Sequence, residues 1–189
     1  MKEIRVNIMT LEKPVIERKV NHAIQMLFKN DSDLLKRDVN ERSITHKLAE
    51  YLQIQFDKWN VDCEYNKNGD VIKELEGIKD ALNKIPDCVE HITTDRVFPD
   101  IIIHLRGDNT SNLLVIEVKK RTNPNNSICD EKKLELFTQK GQYHYSFGLF
   151  IKFNGIYTPE MKWFKEGRIM NTLSDGNIKI QNKNFTVSL

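Results

Sequence analysis

Cysteine is scarce in this chain, and the three present form no metal-binding pattern. Cys63, Cys88 and Cys129 are odd in number and far apart, and no CxxC occurs, which argues against a structural zinc. Such usage is that of a reducing compartment, so free thiols in a cytoplasmic protein are expected. No apolar run approaches the roughly 20 residues that span a bilayer. The opening MKEIRVNIMTLEKPV has no signal-peptide apolar core, so no membrane partner is expected. Neither sign of charge dominates: 29 Lys+Arg against 27 Asp+Glu leave a net +2, and no global basic signal points to nucleic acid. A glycine-rich phosphate loop, a Ser-His-Asp pattern, coiled-coil heptads and internal repeats are all missing. What remains is 189 residues, 39% hydrophobic and 30% charged, enough for one well-solvated domain with a substantial core.

The chain is organised around FPDIIIHLRGDNTSNLLVIEVKKR, residues 98–121. Ile101, Ile102, Ile103 and Leu105 make one apolar strand; Leu113, Leu114, Val115, Ile116 and Val118 make another. Gly107-Asp108-Asn109 and Ser111-Asn112 supply the turn, placed near Asp108 and Asn109. Strands this apolar are usually buried on both faces, so Asp100, Glu117 and Lys119 are out of place. Side chains alternate along a strand, which puts Glu117 and Lys119 on one face and Val118 on the other. A hairpin with this turn brings Asp100 across from Glu117 or its neighbour, with Cβ atoms roughly 4.5–5.5 Å apart. Carboxylates so close repel, and one becomes hard to ionise. A hard divalent cation that binds both removes that penalty. Mg²⁺ does so through oxygen ligands while keeping several waters. Its bound water is a better nucleophile, and its charge offsets that of a phosphorane. Lys119 then sits beside the metal, placed to orient the water or screen a phosphate.

Pro99-Asp100, a spacer, then Glu117-Val118-Lys119 resembles the PD-(D/E)xK nuclease superfamily in residue order, strand context and the hairpin between the two halves. The resemblance implies an α/β fold of the restriction-endonuclease type, a mixed β-sheet flanked by helices, here with N-terminal helices. Its core would cover about 40–153, with a helical extension over 1–39 and a C-terminal hairpin region over 154–189. It also implies a Mg²⁺- or Mn²⁺-dependent nuclease acting on nucleic acid, DNA above all. Asp100 and Glu117 would hold the metal, with the Val118 backbone carbonyl as a third ligand, and Lys119 would position or help deprotonate the attacking water.

The rest of the chain supplies helices and two further site candidates. Pro14 opens a helix over 15–29 with an apolar stripe of Ile16, Val20, Ala23, Ile24 and Leu27. A second helix runs from about 40 to 58, capped by Asp38 or Asn40, with Ile44, Leu48, Tyr51, Leu52 and Phe56 inward. Glu41 lies on that inward face at the helix start. Acids favour helix N-termini through the macrodipole, but in the superfamily a first-helix glutamate often adds a ligand or an outer contact to the metal. His46 and Glu50 pair at i, i+4 on the surface. Residues 59–66 read as an alternating strand, 72–85 as a solvated helix or insertion ended by Pro86, and 86–97 as a loop leading into Asp100. Cys88 and His91 have a spacing that metals use but no further ligands.

Residues 120–126 form a basic loop, read equally as phosphate-holding or as a linker. A helix follows over 130–144, with Ser127 and Asp130 in a capping pattern and Gly141 as a bend or early end. Phe147 to Phe153 is a strand, so strand, helix and strand form a crossover. Gln139 and Tyr143, four apart on one helix face, resemble the third motif of RecB-type nucleases, which implies contact of Gln139 with the scissile region. Trp163-Phe164 packs on the sheet, and 178–187 reads as a hairpin. A catalytically inactive nucleic-acid-binding or assembly protein on the same fold is the alternative function. A homodimer is expected if both strands of a duplex are cut, and restriction or phage defence is a setting the resemblance allows.

Overall fold

The computed structural model describes residues 11–65, 67–68, 71–72, 77–86, 88, 96–123, 127–141 and 143–170. In chain order the elements are α1 (Lys13–Asn30), α2 (Ser32–Lys36), α3 (Glu41–Gln55), β1 (Asn60–Cys63), β2 (Lys67–Asn68), β3 (Val71–Ile72), α4 (Ile78–Asn83), β4 (Ile101–Leu105), β5 (Asp108–Lys120), α5 (Ile128–Thr138), β6 (Phe147–Asn154), β7 (Tyr157–Lys165) and β8 (Arg168–Ile169). Six strands form one sheet in the order β1-β4-β5-β6-β7-β8, and β2 pairs with β3 separately. Only β5 and β6 run parallel; the other neighbours are antiparallel. Parallel neighbours need a crossover, and α5 is that crossover. The chain is thus a mixed α/β protein with helices flanking a mixed sheet. Residues 1–10, His91 and the hairpin expected over 178–187 lie outside the described residues.

Alternation along the strands divides the interior into two layers. Ile101, Ile103, Ile116 and Val118 pack with Ile16, Val20, Leu27, Ile44, Leu48 and Leu52 from α1 and α3. The stretch expected as a helical extension is therefore part of the main core. Ile102, Val115 and Phe150 point the other way, to Leu134 and Phe137 of α5 and to Ile78 and Leu82 of α4. Gly148 lets α5 sit close to the sheet, since a Cβ there would meet Thr138 Cγ2 at 3.1 Å and Phe164 Cβ at 3.2 Å.

Helix ends follow local chemistry. Pro14 sits in the first turn of α1, where its missing N–H would have had no helical partner. Asn40 Oδ1 accepts from the Arg42 N–H at 2.9 Å and so caps α3. That helix stops at Gln55 rather than Lys58 because Phe56 leaves helical geometry and is buried in the core. The α5 helix ends at Thr138, before Gly141, and Gln139 is already extended. The reason lies just downstream. Tyr143 and Tyr145 are buried against Phe137, with ring centroids 5.9 and 5.8 Å away, which requires the chain to double back. The Tyr145 N–H donates to the Phe137 carbonyl at that turn.

Two expectations are corrected. The stretch over 72–85 is not simply a solvated helix: α4 is short, and Ile78 and Leu82 are fully buried under the sheet. Nor are all three cysteines free. Cys88 and Cys129 form a disulfide that ties the loop before β4 to the start of α5, and Cys63 is the free thiol. Cysteine usage therefore no longer argues for a reducing compartment. Among the described residues no helix is long and apolar enough to cross a membrane. As Leu82 is 0% exposed, Leu82→Ala is expected to lower stability by about 2–5 kcal/mol in urea denaturation, whereas a solvated helix would lose less than about 1 kcal/mol.

Candidate active site

The hairpin turn is Arg106-Gly107, with Gly107 at φ 79°, not the Asp108-Asn109 pair. The extra residues on β5 are absorbed by register shifts on either side of His104. Beyond them the pairing is regular, with Ile103 opposite Leu114 and Ile101 opposite Ile116. One step further along this register stand Asp100 and Glu117. Both lie on the α5 side, because Ile102 and Val115 do and alternation fixes the rest. The Asp100 side chain is pinned where the β4 ladder ends: its Oδ2 accepts from the Val118 N–H at 2.7 Å.

The neighbourhood is charged and largely buried. Glu117 is 3% exposed, and its Oε1 has no hydrogen-bond partner. Burial drives its carboxyl well above the ordinary value; the charges of Asp100 and Asp130 push the same way, against Lys133 and Lys119. Burial likewise raises Asp100 from 3.8 to about 6, opposed by the Val118 N–H and reinforced by the charges of Asp130 and Glu41. Lys119 does not stand alone beside these acids. Its Nζ is paired with Asp130 Oδ2, and Asp130 Oδ1 lies 3.4 Å from Lys133 Nζ. All of Glu117, Lys119 and Asp130 are buried.

Asp130 is the residue that reading the sequence missed. As a capping residue it would face outward, but Ser127 bonds Glu131 instead and Asp130 faces in. The signal was present: Asp130, Leu134 and Phe137 are spaced as one helix face, and the last two are core. Glu41 arrives from the opposite layer at the end of β5. Its Oε2 accepts from the Lys120 N–H at 2.9 Å, and Asn123 Nδ2 bonds both of its oxygens at 3.1 and 3.2 Å. Its charge reaches Asp100. Gln139 and Tyr143 are not brought together here. Gln139 follows the last turn of α5 and lies over Gly167, roughly 13 Å along the helix from Asp130 at about 1.5 Å per residue. Tyr143 is in the core.

An open groove of about 420 Å³ lies at this end of the sheet, lined by Glu41, Arg42, Thr45, Glu64, Phe98 and Asp100. Asp100 therefore faces the groove, while buried Glu117 is not part of its lining. No family model, curated protein or solved structure matches this chain. Among the described residues no three His, Cys, Asp or Glu side chains form a ready-made metal cluster. Asp130 is engaged by two lysines, and Glu41 by Lys120 and Asn123. The basic loop is similarly occupied within the protein: Lys120 Nζ bonds the Asp38 carboxylate and the carbonyls of Asp38 and Val39, and Arg121 bonds Asn154. Residues 124–126 lie outside the described residues.

The raised Asp100 pKa has a definite sign. An unfolded chain gives up this proton near 3.8 and the folded one near 6, so stability falls as pH rises between those values and the penalty is complete above about 6. Asp100→Asn removes the charge, and its amide oxygen can still accept from Val118. Thermal melts in EDTA are expected to show the variant several degrees more stable than wild type at pH 8, with the gap closing below pH 4. A variant no more stable at pH 8 would contradict the buried, ionising carboxyl.

Proposed function

We propose that this protein is a Mg²⁺- or Mn²⁺-dependent nuclease that hydrolyses phosphodiester bonds in DNA, on a fold of the restriction-endonuclease type. One observation carries the reading: Asp100 and Glu117 stand across neighbouring strands on the same face, with Lys119 one pleat further on and a groove beside Asp100. The donor set suits a hard cation. Glu117 Oε1 is buried without a partner, and burial holds both carboxyls above their ordinary pKa, which the nearby lysines offset only in part. Mg²⁺ needs only one or two carboxylates, with waters completing its shell.

Asp100 and Glu117 would hold the ion, with the Val118 carbonyl as a third ligand and Glu41 as an outer support through the β5 end. Bound there, it would make water a better nucleophile and offset charge on the phosphate. Lys119 supplies a cation whose place is fixed by Asp130, and it orients the attacking water or screens a phosphate oxygen. Such fixed charge at a buried position acts without reorganising during the reaction. Gln139 has no part in this arrangement. For cleavage of both strands of a duplex, two such sites in a homodimer are expected. The second reading is a nucleic-acid-binding or assembly protein on this fold without turnover. It is favoured by the burial of Glu117 and by the pairing of Lys119 with Asp130.

Cleavage of plasmid and single-stranded DNA separates the two. Wild type should cut with Mg²⁺ and not with EDTA, and Asp100→Ala and Lys119→Ala should lose at least about a hundredfold while circular dichroism shows the fold retained, with Lys119→Ala less stable because Asp130 keeps only Lys133. Undiminished cutting by either variant would falsify the assignment. DNA binding without cutting would favour the second reading.

A further inference from the structure

Phe98 is an aromatic ring left half-exposed in the lining of the groove beside Asp100. Its neighbours Val97 and Pro99 are both buried, yet Phe98 is 50% exposed. The backbone around it is set. Proline fixes its own φ, the Asp100 carbonyl accepts from the Glu64 N–H at 3.2 Å, and the Asp100 side chain is bonded to Val118. The ring is therefore presented outward from an anchored segment two residues before Asp100. One exposed apolar side chain is ordinary on any surface; the position is what distinguishes this one. Ile54, Ile128, Ile156, Tyr157 and Ile169 are also exposed, and none of them lines the groove that holds Asp100 and Glu41.

The rest of that groove suits a flat, uncharged group. Its charged wall is mostly acidic, with Glu41, Glu64 and Asp100, and the Arg42 guanidinium is paired with Glu64 at 2.9 Å. Where no cation offsets them, these carboxylates repel phosphate oxygens, whereas the uncharged face of a nucleobase is not repelled. At about 420 Å³ the open space falls within the roughly 300–1,000 Å³ of a small-molecule site, large enough for one nucleobase. Bases of every kind stack on aromatic rings.

We infer that Phe98 is a stacking platform for one unpaired base beside the scissile phosphate, so that the groove prefers single-stranded nucleic acid, or a duplex opened locally at that base, over an intact duplex. This rests on the nuclease reading for the place of the phosphate, but the platform itself can be tested without turnover. The probe is a fluorescein-labelled single-stranded DNA oligonucleotide and its duplex, with Ca²⁺ replacing Mg²⁺, read by anisotropy. Wild type is expected to bind the single strand more tightly than the duplex. Phe98→Ala should weaken single-strand binding roughly 5- to 150-fold and leave duplex binding within about twofold, and Phe98→Trp should keep it. Single-strand binding unchanged in Phe98→Ala, or absent in wild type, overturns the inference. Cleavage assays with Mg²⁺ on the same proteins keep the two ideas apart. Cutting of single strands that ignores Phe98→Ala removes the platform and leaves the nuclease. Loss of binding in Phe98→Ala, from a wild type that cuts nothing, retains the platform and removes the nuclease.

Discussion

Two acids on the buried face of a sheet are the constraint to which this structure answers. Asp100 and Glu117 sit where the α5 side of β4 and β5 should carry aliphatic side chains, and burial drives both toward their neutral forms. An unpaired buried charge is so unfavourable that the group usually neutralises. The surroundings meet this only in part. One Asp100 oxygen takes the Val118 N–H, two lysines approach from β5 and α5, and one Glu117 oxygen is left without a partner. The lysines are themselves shared with Asp130. A sequence selected for stability alone would place valine or leucine here. Groups that perturb one another in this way cluster at functional sites, and the fold accepts the penalty at one end of the sheet while both layers elsewhere are mostly apolar, with His104 and Asn112 among the few buried polar residues.

Strand register is what makes the pairing dependable. A slip of one residue would send Asp100 to the opposite face. The register shifts around His104 lie on the turn side of Ile103, so the tip of the hairpin is irregular while Ile101–Ile103 keep a regular ladder to Leu114–Ile116. The apolar triplets hold that ladder. In each, residues on both faces are buried in separate cores, so a slip would put the wrong residue into both at once. The position of the turn and that of the acids are therefore decoupled. Reading the turn at Asp108-Asn109, two residues late, still put Asp100 across from Glu117 or its neighbour.

That explains what the sequence could disclose and what it could not. Periodicity gave α1, α3 and the central strands, since each has an apolar pattern long enough to be unambiguous. Asn40 capped α3 as its chemistry suggests, and His46 and Glu50 pair on the surface at 3.1 Å. Three features needed long-range contacts. The end of α5 depends on Tyr143 and Tyr145 folding back under Phe137, whereas periodicity runs the helix to 144 with a bend or early end at Gly141. The burial of α4 depends on an open place under the sheet, which its charged outer face concealed. The bond between Cys88 and Cys129 joins residues 41 apart, and wide spacing hides pairing. At the site, Asp100, Glu117 and Lys119 were legible because strand alternation is local. Asp130 required knowing that α5 crosses over that same face.

The Lys119–Asp130 pair is the part of the site that stability explains least. Desolvating two charges is unfavourable enough that an apolar pair of similar volume is often as stable or more so, while removal of one partner leaves a buried charge exposed to the full penalty. The pair therefore contributes more to position than to free energy. It spans β5 and the first turn of α5, a turn also held by the disulfide at Cys129. Asp130 is additionally favoured there by the positive end of the helix dipole, so both partners are fixed by elements that cannot move independently. A lysine on a flexible stem would otherwise sample many positions; here its amine is confined beside Glu117. Under the proposed reading that confinement is what a positioned cation requires, and it accounts for a buried ion pair in a layer otherwise built from Ile102, Val115, Leu134 and Phe150.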